Sequence, residues 1–379
     1  MKSSIGDTLY VKGRIGWKGL KKTEYLKHGT YRIINGSNIL DSKISWDKCG
    51  YISKERYEES PEIQLRKDDI LVTKDGTIGK TAMVGELSKP TSIASGLFLL
   101  RNTLPEKWNS RYLFYFLQSK SFSNFIKSRQ EGSVIPHLYQ KDFEQLELPD
   151  ISKEEQNRIV YILDTLTDKI ENNNDINDNL DILMTSMFEN IFQNLTDQNF
   201  STLSEIANFK NGLAMQKYRP QKQEDSLPVL KIRELNQGFT DKSSDRCSSD
   251  IDNKVIINAG DIVFSWSGTL LLKIWSGKKA GLNQHLFKVT SNRFPAWFIY
   301  GWTNHYMKKF KSIASYKATT MGHIKRSDLS SSKVIVPDNE NLATLNKLFN
   351  PLFKKRIQVT KENAALLDLR RELLNHFLN

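Results

Sequence analysis

The strongest constraint on what this chain can fold into is that it nearly repeats itself. The segment LRKDDILVTKDGTIGK (65–80) aligns with INAGDIVFSWSGTLLLK (257–273), so that Asp69, Ile70, Gly76 and Thr77 fall on Asp261, Ile262, Gly268 and Thr269. GLFLLRN (96–102) then matches HLFKVTS (285–291). PHLYQKDFEQLELP (136–149) matches GHIKRSDLSSSKVIVP (322–337), with His137 opposite His323, Asp142 opposite Asp328 and Pro149 opposite Pro337. Partners lie 186 to 192 positions apart, half of the 379-residue chain. Such duplication changes what every motif means, because a motif with a shared role should occur twice.

The segments after the two prolines are also equivalent. After Pro149, Ser152 and Glu155 have the spacing of a capping box at a helix start. From there Ile159, Leu163, Leu166, Ile170, Asn173, Asn177, Leu180, Met184, Met187 and Ile191 recur in steps of four and three, a heptad seam interrupted by two asparagines. After Pro337, Leu342, Leu345, Leu348 and Phe349 predict a short apolar helix. Asn350-Pro351 then forms an N-cap and N1 pair for a second long helix, with Phe353, Ile357, Ala364, Leu367, Leu374 and Leu378 on one stripe. Each regular stretch of about 28 residues would be about 42 Å long. Helices of that length at the same place in both repeats most simply pack on each other. An antiparallel pairing is expected, since it leads each helix back toward the domain of the other half, and the seam asparagines would fix its register.

Between the helices, strand-like segments such as YRIING (31–36), DILVTK and SGLFLLR, with counterparts PVLKIREL (228–235), DIVFSW and QHLFKV, are punctuated by Gly and polar turns. The aromatic helical stretch SRYLFYFLQS (110–119) is echoed by AWFIYGWTNH (296–305). The expected fold class is α+β: two similar mixed α/β domains separated by two long antiparallel helices, a pseudo-two-fold internal repeat. The expected blocks are residues 1–151, 152–197, 198–337 and 338–379.

Charge is distributed unevenly over these blocks. The net charge is +12; residues 153–197 carry −7 and residues 338–379 carry +2, which leaves +17 on the two globular blocks. Positive charge concentrated there suits a polyanion, because Lys and Arg that neutralise phosphates release condensed counterions. No run approaches the roughly 20 apolar residues of a membrane helix, and the first twenty residues lack a signal-peptide pattern, so a cytoplasmic protein is expected. Cys49 and Cys247 stand far apart without neighbouring ligands, which argues against a disulfide framework or a zinc site.

Two apparent catalytic motifs dissolve under the repeat. GKT at 79–81 ends like a P-loop, but the motif needs Gly at position 74, where Lys stands. The second copy keeps Gly268-Thr269 and then has Leu271 and Leu272 where Gly-Lys should continue. Asn350-Pro351-Leu352-Phe353 resembles the loop of amino-methyltransferases, yet its third residue is wrong and no Gly-rich cofactor turn precedes it. His137 and His323 have no nucleophile or carboxylate in a recognisable acid–base constellation, and read as turn or DNA-contact residues. Basic runs precede both: Lys120, Lys127 and Arg129 in one half, Lys308, Lys309, Lys311 and Lys317 in the other.

Taken in order, DDILVTKDGTIG and GDIVFSWSG, EGSVIPHLYQKDFEQLELP, EEQNRIVYILDTLTDKI, LSEIANFKNGL and PVLKIRELN resemble the specificity subunit of type I restriction-modification enzymes over nearly the whole chain. The resemblance implies two target recognition domains, each reading one half of a bipartite DNA sequence. The paired helices would be the spacer and the docking site of modification subunits, two of them. It implies no catalysis and no cofactor in this chain. S-adenosylmethionine, ATP and Mg belong to the modification and restriction subunits of the complex. Relative to the family pattern, any helical segment before the first recognition domain is expected to be missing or very short.

Carried over by position, the candidate DNA contacts of the first domain are Thr73, Lys74, Asp75, Gly76, Thr77 and Lys80, with His137, Tyr139 and Lys141. Those of the second are Ser265, Trp266, Ser267, Gly268 and Thr269, with Lys317, His323, Lys325 and Arg326. The candidate spacer seam is Ile159, Leu163, Leu166, Ile170, Leu180, Met184 and Met187 against Phe353, Ile357, Leu367 and Leu374. A self-sufficient DNA methyltransferase and a coiled-coil scaffold that binds nucleic acid without sequence preference are the alternatives. Cofactor binding by this chain alone would favour the first, and uniformly salt-sensitive binding the second.

Overall fold

The computed structural model describes residues 3–15, 19–40, 42–130, 137–193, 199–221, 225–316 and 322–378. It divides into two compact units, Met1–Thr167 with Leu369–Asn379, and Asp168–Asp368. Compactness therefore parts the chain inside both long helices.

The repeat seen in the sequence is a repeat of topology. In the first unit an antiparallel sheet has the order Leu9–Gly13, Leu97–Asn102, Ile70–Thr73, Thr81–Met83. The second unit has Asn208–Asn211, Leu286–Thr290, Ile262–Ser265, Leu272–Ile274 in the same order. A second, mixed sheet is repeated as well. Tyr31–Ile34 runs parallel to Thr91–Ile93 and antiparallel to Gly50–Ile52; Ser226–Leu230 runs parallel to Ala280–Leu282 and antiparallel to Arg246–Ser248.

The strands that follow the repeated aspartates are buried along their whole length, which is why ILVT and IVFS read as continuous apolar runs. Alternate residues serve two cores. Ile70 and Val72 pack with Phe98, Leu100 and Tyr112, while Leu71 packs with Ile93, Leu97 and Leu99. Ile262 and Phe264 likewise pack with Phe287 and Phe310, and Val263 with Leu282 and Leu286.

The aspartates before these strands have a structural task. Asp69 accepts the Arg66 N–H at 2.6 Å and two Arg101 N–H bonds at 2.7 Å, with only 1% of its side chain exposed. Asp261 accepts the Asn258 N–H at 2.8 Å and pairs with Lys288 at 2.7 Å. In both copies the carboxylate closes the turn three residues back and neutralises a cation from a neighbouring strand.

The central helix spans Lys153–Gln193 and the last helix Asn339–Phe377. At the first helix start the Ser152 hydroxyl accepts the Glu155 N–H at 3.2 Å, while the Glu155 carboxylate turns to Arg158. The pairing is antiparallel within each unit. In the second unit Arg356 reaches Asp181 at 3.0 Å, and the Asn363 amide donates to the Ile170 carbonyl at 3.3 Å. In the first, Arg370 donates to the Thr167 hydroxyl at 3.2 Å.

Ile159, Leu163, Ile170, Met184, Phe353 and Leu374 are buried, and Leu166, Leu180, Met187 and Ile357 half-buried. Leu367, expected in the seam, is instead 41% exposed. The positions facing the central helix include the polar Arg356, Thr360 and Asn363.

The C-terminal region also departs from expectation. In place of a short helix and a second one capped by Asn350-Pro351, a single helix runs through Pro351. An interior proline removes a backbone hydrogen bond and costs about 3 kcal/mol. Side chains on both sides of it are held by one core and offset that cost. Phe349 stacks on Trp297 with ring centres 4.5 Å apart, and Phe353 lies 5.5 Å from Tyr300. Phe353, buried in that core, cannot serve as the aromatic of a methyltransferase loop.

The aromatic helices dock each unit onto its long helices. In Ser110–Phe116, Arg111 and Tyr115 both bind Asp164 at 2.6 Å. In Ala296–Tyr316, Gly301 lies under the Phe188 ring so closely that an added Cβ would stand 2.5 Å from it.

Candidate nucleic-acid interface

Each of the two repeated turns begins as a buried strand that must reverse within a few residues. In the first unit Gly76 takes φ +66°, and in the second Gly268 takes φ +65°, a conformation that disfavours any side chain. The Gly pair found in the sequence thus marks one turn built twice. The first turn leads into a strand rather than a helix, since Thr81 opens Thr81–Met83, so GKT forms no phosphate cradle of the P-loop kind.

Main-chain bonds mount both turns in the same way. The Lys74 N–H donates to the Gly96 carbonyl at 3.0 Å, and the Leu138 N–H donates to the Lys74 carbonyl at 3.0 Å. At the equivalent place the Trp266 N–H donates to the His285 carbonyl at 3.3 Å, and the Ile324 N–H to the Trp266 carbonyl at 3.0 Å. Asp75 bridges to His137, and Ser267 to His323, as isolated antiparallel pairs. The two groups of residues that the sequence singled out separately in each half, the turn and the His segment, therefore lie side by side in both units.

Their side chains divide into those that build the turn and those that face outward. Thr73, Ser265 and Ser267, expected as DNA contacts, are buried at 3% exposure or less. The Thr73 hydroxyl donates to the Thr77 carbonyl at 2.6 Å and accepts the Lys80 N–H at 2.9 Å, and Ser265 donates to the Ser267 carbonyl. They hold the turn because a strand end buried on both faces needs its polar groups satisfied internally. Asp75, Gly76, Thr77, Gly268, Thr269, Tyr139, Lys141, Lys325 and Arg326 are exposed, and Lys80 is half-buried. Lys317 lies outside the described residues, as does the stretch EGSVIP before His137.

Lys74 and Trp266 occupy one position with different solutions. The Lys74 ammonium sits 5.0 Å over the Phe98 ring, and burial pushes its pKa below the usual lysine value. Trp266 stacks on Phe287 and donates its indole N–H to Asn211 at 3.1 Å. The Arg326 guanidinium also lies over the Phe287 ring, at 5.6 Å. It lines an open groove of about 360 Å³ with Arg293, a basic residue missed in the sequence because it stands alone in a loop.

The histidines differ as well. In the first unit His137 Nδ1 bonds the Asp75 carboxylate, and Tyr139 packs edge-on against the imidazole with ring centres 4.6 Å apart. In the second unit the Ser267 hydroxyl meets His285 Nδ1 at 2.9 Å, and Gln284 Nε2 meets His285 Nε2 at 3.3 Å. Gln284 and His285 were also missed. The signal was present in the alignment of Gly96 with His285, a glycine against a side chain that can hydrogen-bond.

The remaining basic runs lie on helix surfaces: Lys120, Lys127 and Arg129 on Lys120–Gln130, and Lys308, Lys309 and Lys311 on Ala296–Tyr316. Among the described residues no cluster of three or more His, Cys, Asp and Glu could hold a metal ion, and no helix is long and apolar enough to cross a membrane.

Two copies of one mixed domain, each with an outward turn beside a histidine segment and each attached to antiparallel helices, define a class of protein that presents two independent recognition surfaces. The family model for the type I restriction modification DNA specificity domain matches residues 3–181 and 196–363, and the chain belongs to this family. It is 26% identical over 343 residues to the type I restriction enzyme MjaIX specificity subunit of Methanocaldococcus jannaschii, covering 81% of this chain and 76% of that one. The EcoAI specificity subunit of Escherichia coli is 25% identical over 149 residues, 38% of this chain and 25% of that protein. In fold the chain is similar to the type I restriction-modification S subunit from M. genitalium, with TM-score 0.55, 19% identity and coverage of 100% and 96% of the two chains.

Proposed function

We propose that this chain is the non-catalytic DNA specificity subunit of a type I restriction-modification complex, each unit reading one half of a bipartite target in double-stranded DNA. The observation that carries this reading is the turn mounted twice on the same main-chain bonds and carrying different side chains in its two copies. A duplicated frame gives the same approach to DNA, and different side chains give different sequences read. The surplus of basic residues on both globular blocks supports the phosphate contacts that such reading needs.

The antiparallel helices act as the spacer between half-sites and dock two modification subunits, through which restriction subunits join. S-adenosylmethionine, ATP and Mg are held by those partners. Single-molecule sequencing of DNA methylated by the chain with its modification partner tests the reading. A motif of two short defined halves separated by a fixed unspecified gap is expected. Methylation with a continuous motif, or sequence-independent binding by the assembled complex, overturns it.

A further inference from the structure

The two units place an imidazole beside the same turn from opposite sides. In the first, His137 comes from the segment after the turn and meets Asp75, and the strand entry on the other side is Gly96. A side chain built at Gly96 would have the Asp75 carboxylate as its nearest neighbour, at 3.7 Å. In the second, the strand entry is His285, and it meets Ser267, the counterpart of Asp75. At this one position the second unit adds an imidazole to the turn where the first has only Gly96.

The bonding fixes what each group can offer. A carboxylate only accepts, so His137 Nδ1 bears the proton shared with Asp75, and Nε2 accepts whenever the ring carries that one proton. In the second unit the Gln284 amide donates to His285 Nε2, so Nδ1 is the proton-bearing nitrogen and donates to the Ser267 hydroxyl. That chain holds the half-buried Gln284 amide through one N–H, which makes its second N–H and its Oε1 the groups that would meet a ligand. An amide so held matches the N7 acceptor and N6 amino donor of adenine, and an imidazole acceptor matches an exocyclic amino group.

We propose that Gln284 and His137 are the base-reading side chains of their domains, Gln284 selecting adenine in the major groove and His137 selecting a base that presents an amino group there. Asp75, His285 and Ser267 are positioning residues. The proposal rests on the specificity-subunit reading and adds the groups that do the reading.

The test uses the complex of this chain with its modification partner, with the methylated motif read by single-molecule sequencing. Gln284→Ala is expected to relax one adenine position of one half-site, a preference of roughly 5- to 150-fold falling to near one. The other half-site and the gap stay as they were. His137→Ala relaxes one position of the opposite half-site. His285→Phe reproduces the Gln284→Ala motif, whereas His285→Gln, which can still accept from Gln284 and donate to Ser267, restores the preference.

Should a variant lose methylation altogether, its binding to labelled duplexes carrying each of the four bases at the position is measured. Equal binding supports the proposal, and retained base preference overturns it. A wild-type complex without a bipartite motif sinks the specificity-subunit reading itself. A bipartite motif left unchanged by Gln284→Ala and His137→Ala overturns the base-reading assignment alone.

Discussion

At the scale of the residue, position in the turn separates groups that a sequence motif treats alike. Lys74 interrupts the P-loop pattern and then spends much of its side chain over Phe98. A base whose folded pKa lies below its unfolded value costs stability while it is charged, and that cost fades as pH rises through the folded value toward about 10.5. Lys74→Met is therefore expected to raise stability at neutral pH by a few tenths of a kcal/mol, solvent screening included, and to lose that advantage above about pH 10. Denaturant midpoints of both proteins between pH 7 and pH 10.5 check the sign. The same variant is expected to weaken DNA binding, since a phosphate would draw the ammonium away from its ring. Asp69, by contrast, is a structural carboxylate. Asp69→Asn leaves Arg101 facing an amide and should destabilise by about 2–3 kcal/mol; Asp261→Asn, at a more exposed pair, should cost about 1 kcal/mol. A melting temperature for Asp69→Asn equal to that of the wild type would refute this role.

At the scale of the element, the long helices show where local sequence signals give way to packing. Asn350-Pro351 carries the residues of a helix start, but Phe349 and Phe353 belong to one aromatic core, and a break between them would expose both. Local capping is worth about 1 kcal/mol, less than burying two phenylalanines. The seam of the central helix was legible because its steps of three and four are regular. Its partner was less so, because Arg356, Thr360 and Asn363 are polar and a hydrophobic stripe does not include them. The carbonyl oxygens of Asn173, Asn177 and Asn363 are buried without a hydrogen-bond donor. Replacing all three by Leu is expected to raise stability by about 2 kcal/mol, seen as a higher melting temperature, while weakening the specification of register. Gly301→Ala should act in the opposite direction, by about 1–3 kcal/mol, because its methyl group meets the Phe188 ring.

At the scale of the whole molecule, the duplicated architecture was legible from a handful of residues that the fold cannot do without. Asp69 and Asp261 close turns, Gly76 and Gly268 supply a positive φ, and the paired His positions follow the turn in each copy. The division of work among candidate contacts was not legible, since only the three-dimensional turn shows Thr73 and Ser265 inward and Gln284 beside it. The spacer reading has its own test: removal of residues 171–177 together with 357–363 takes one heptad from each antiparallel partner. At 1.5 Å per residue this shortens the pair by about 10 Å, or about 3 base pairs of B-form DNA. The methylated motif should keep both half-sites and lose about that many positions from its gap, and an unchanged gap would dismiss the helices as a ruler.

The mounting of both turns on main-chain N–H and C=O groups has a consequence for how such a chain can change. Nothing in those bonds depends on which side chain stands at 74 or 266, so lysine and tryptophan are held equally well. An address written on side chains over a fixed backbone can be rewritten one letter at a time, and each intermediate remains a folded protein.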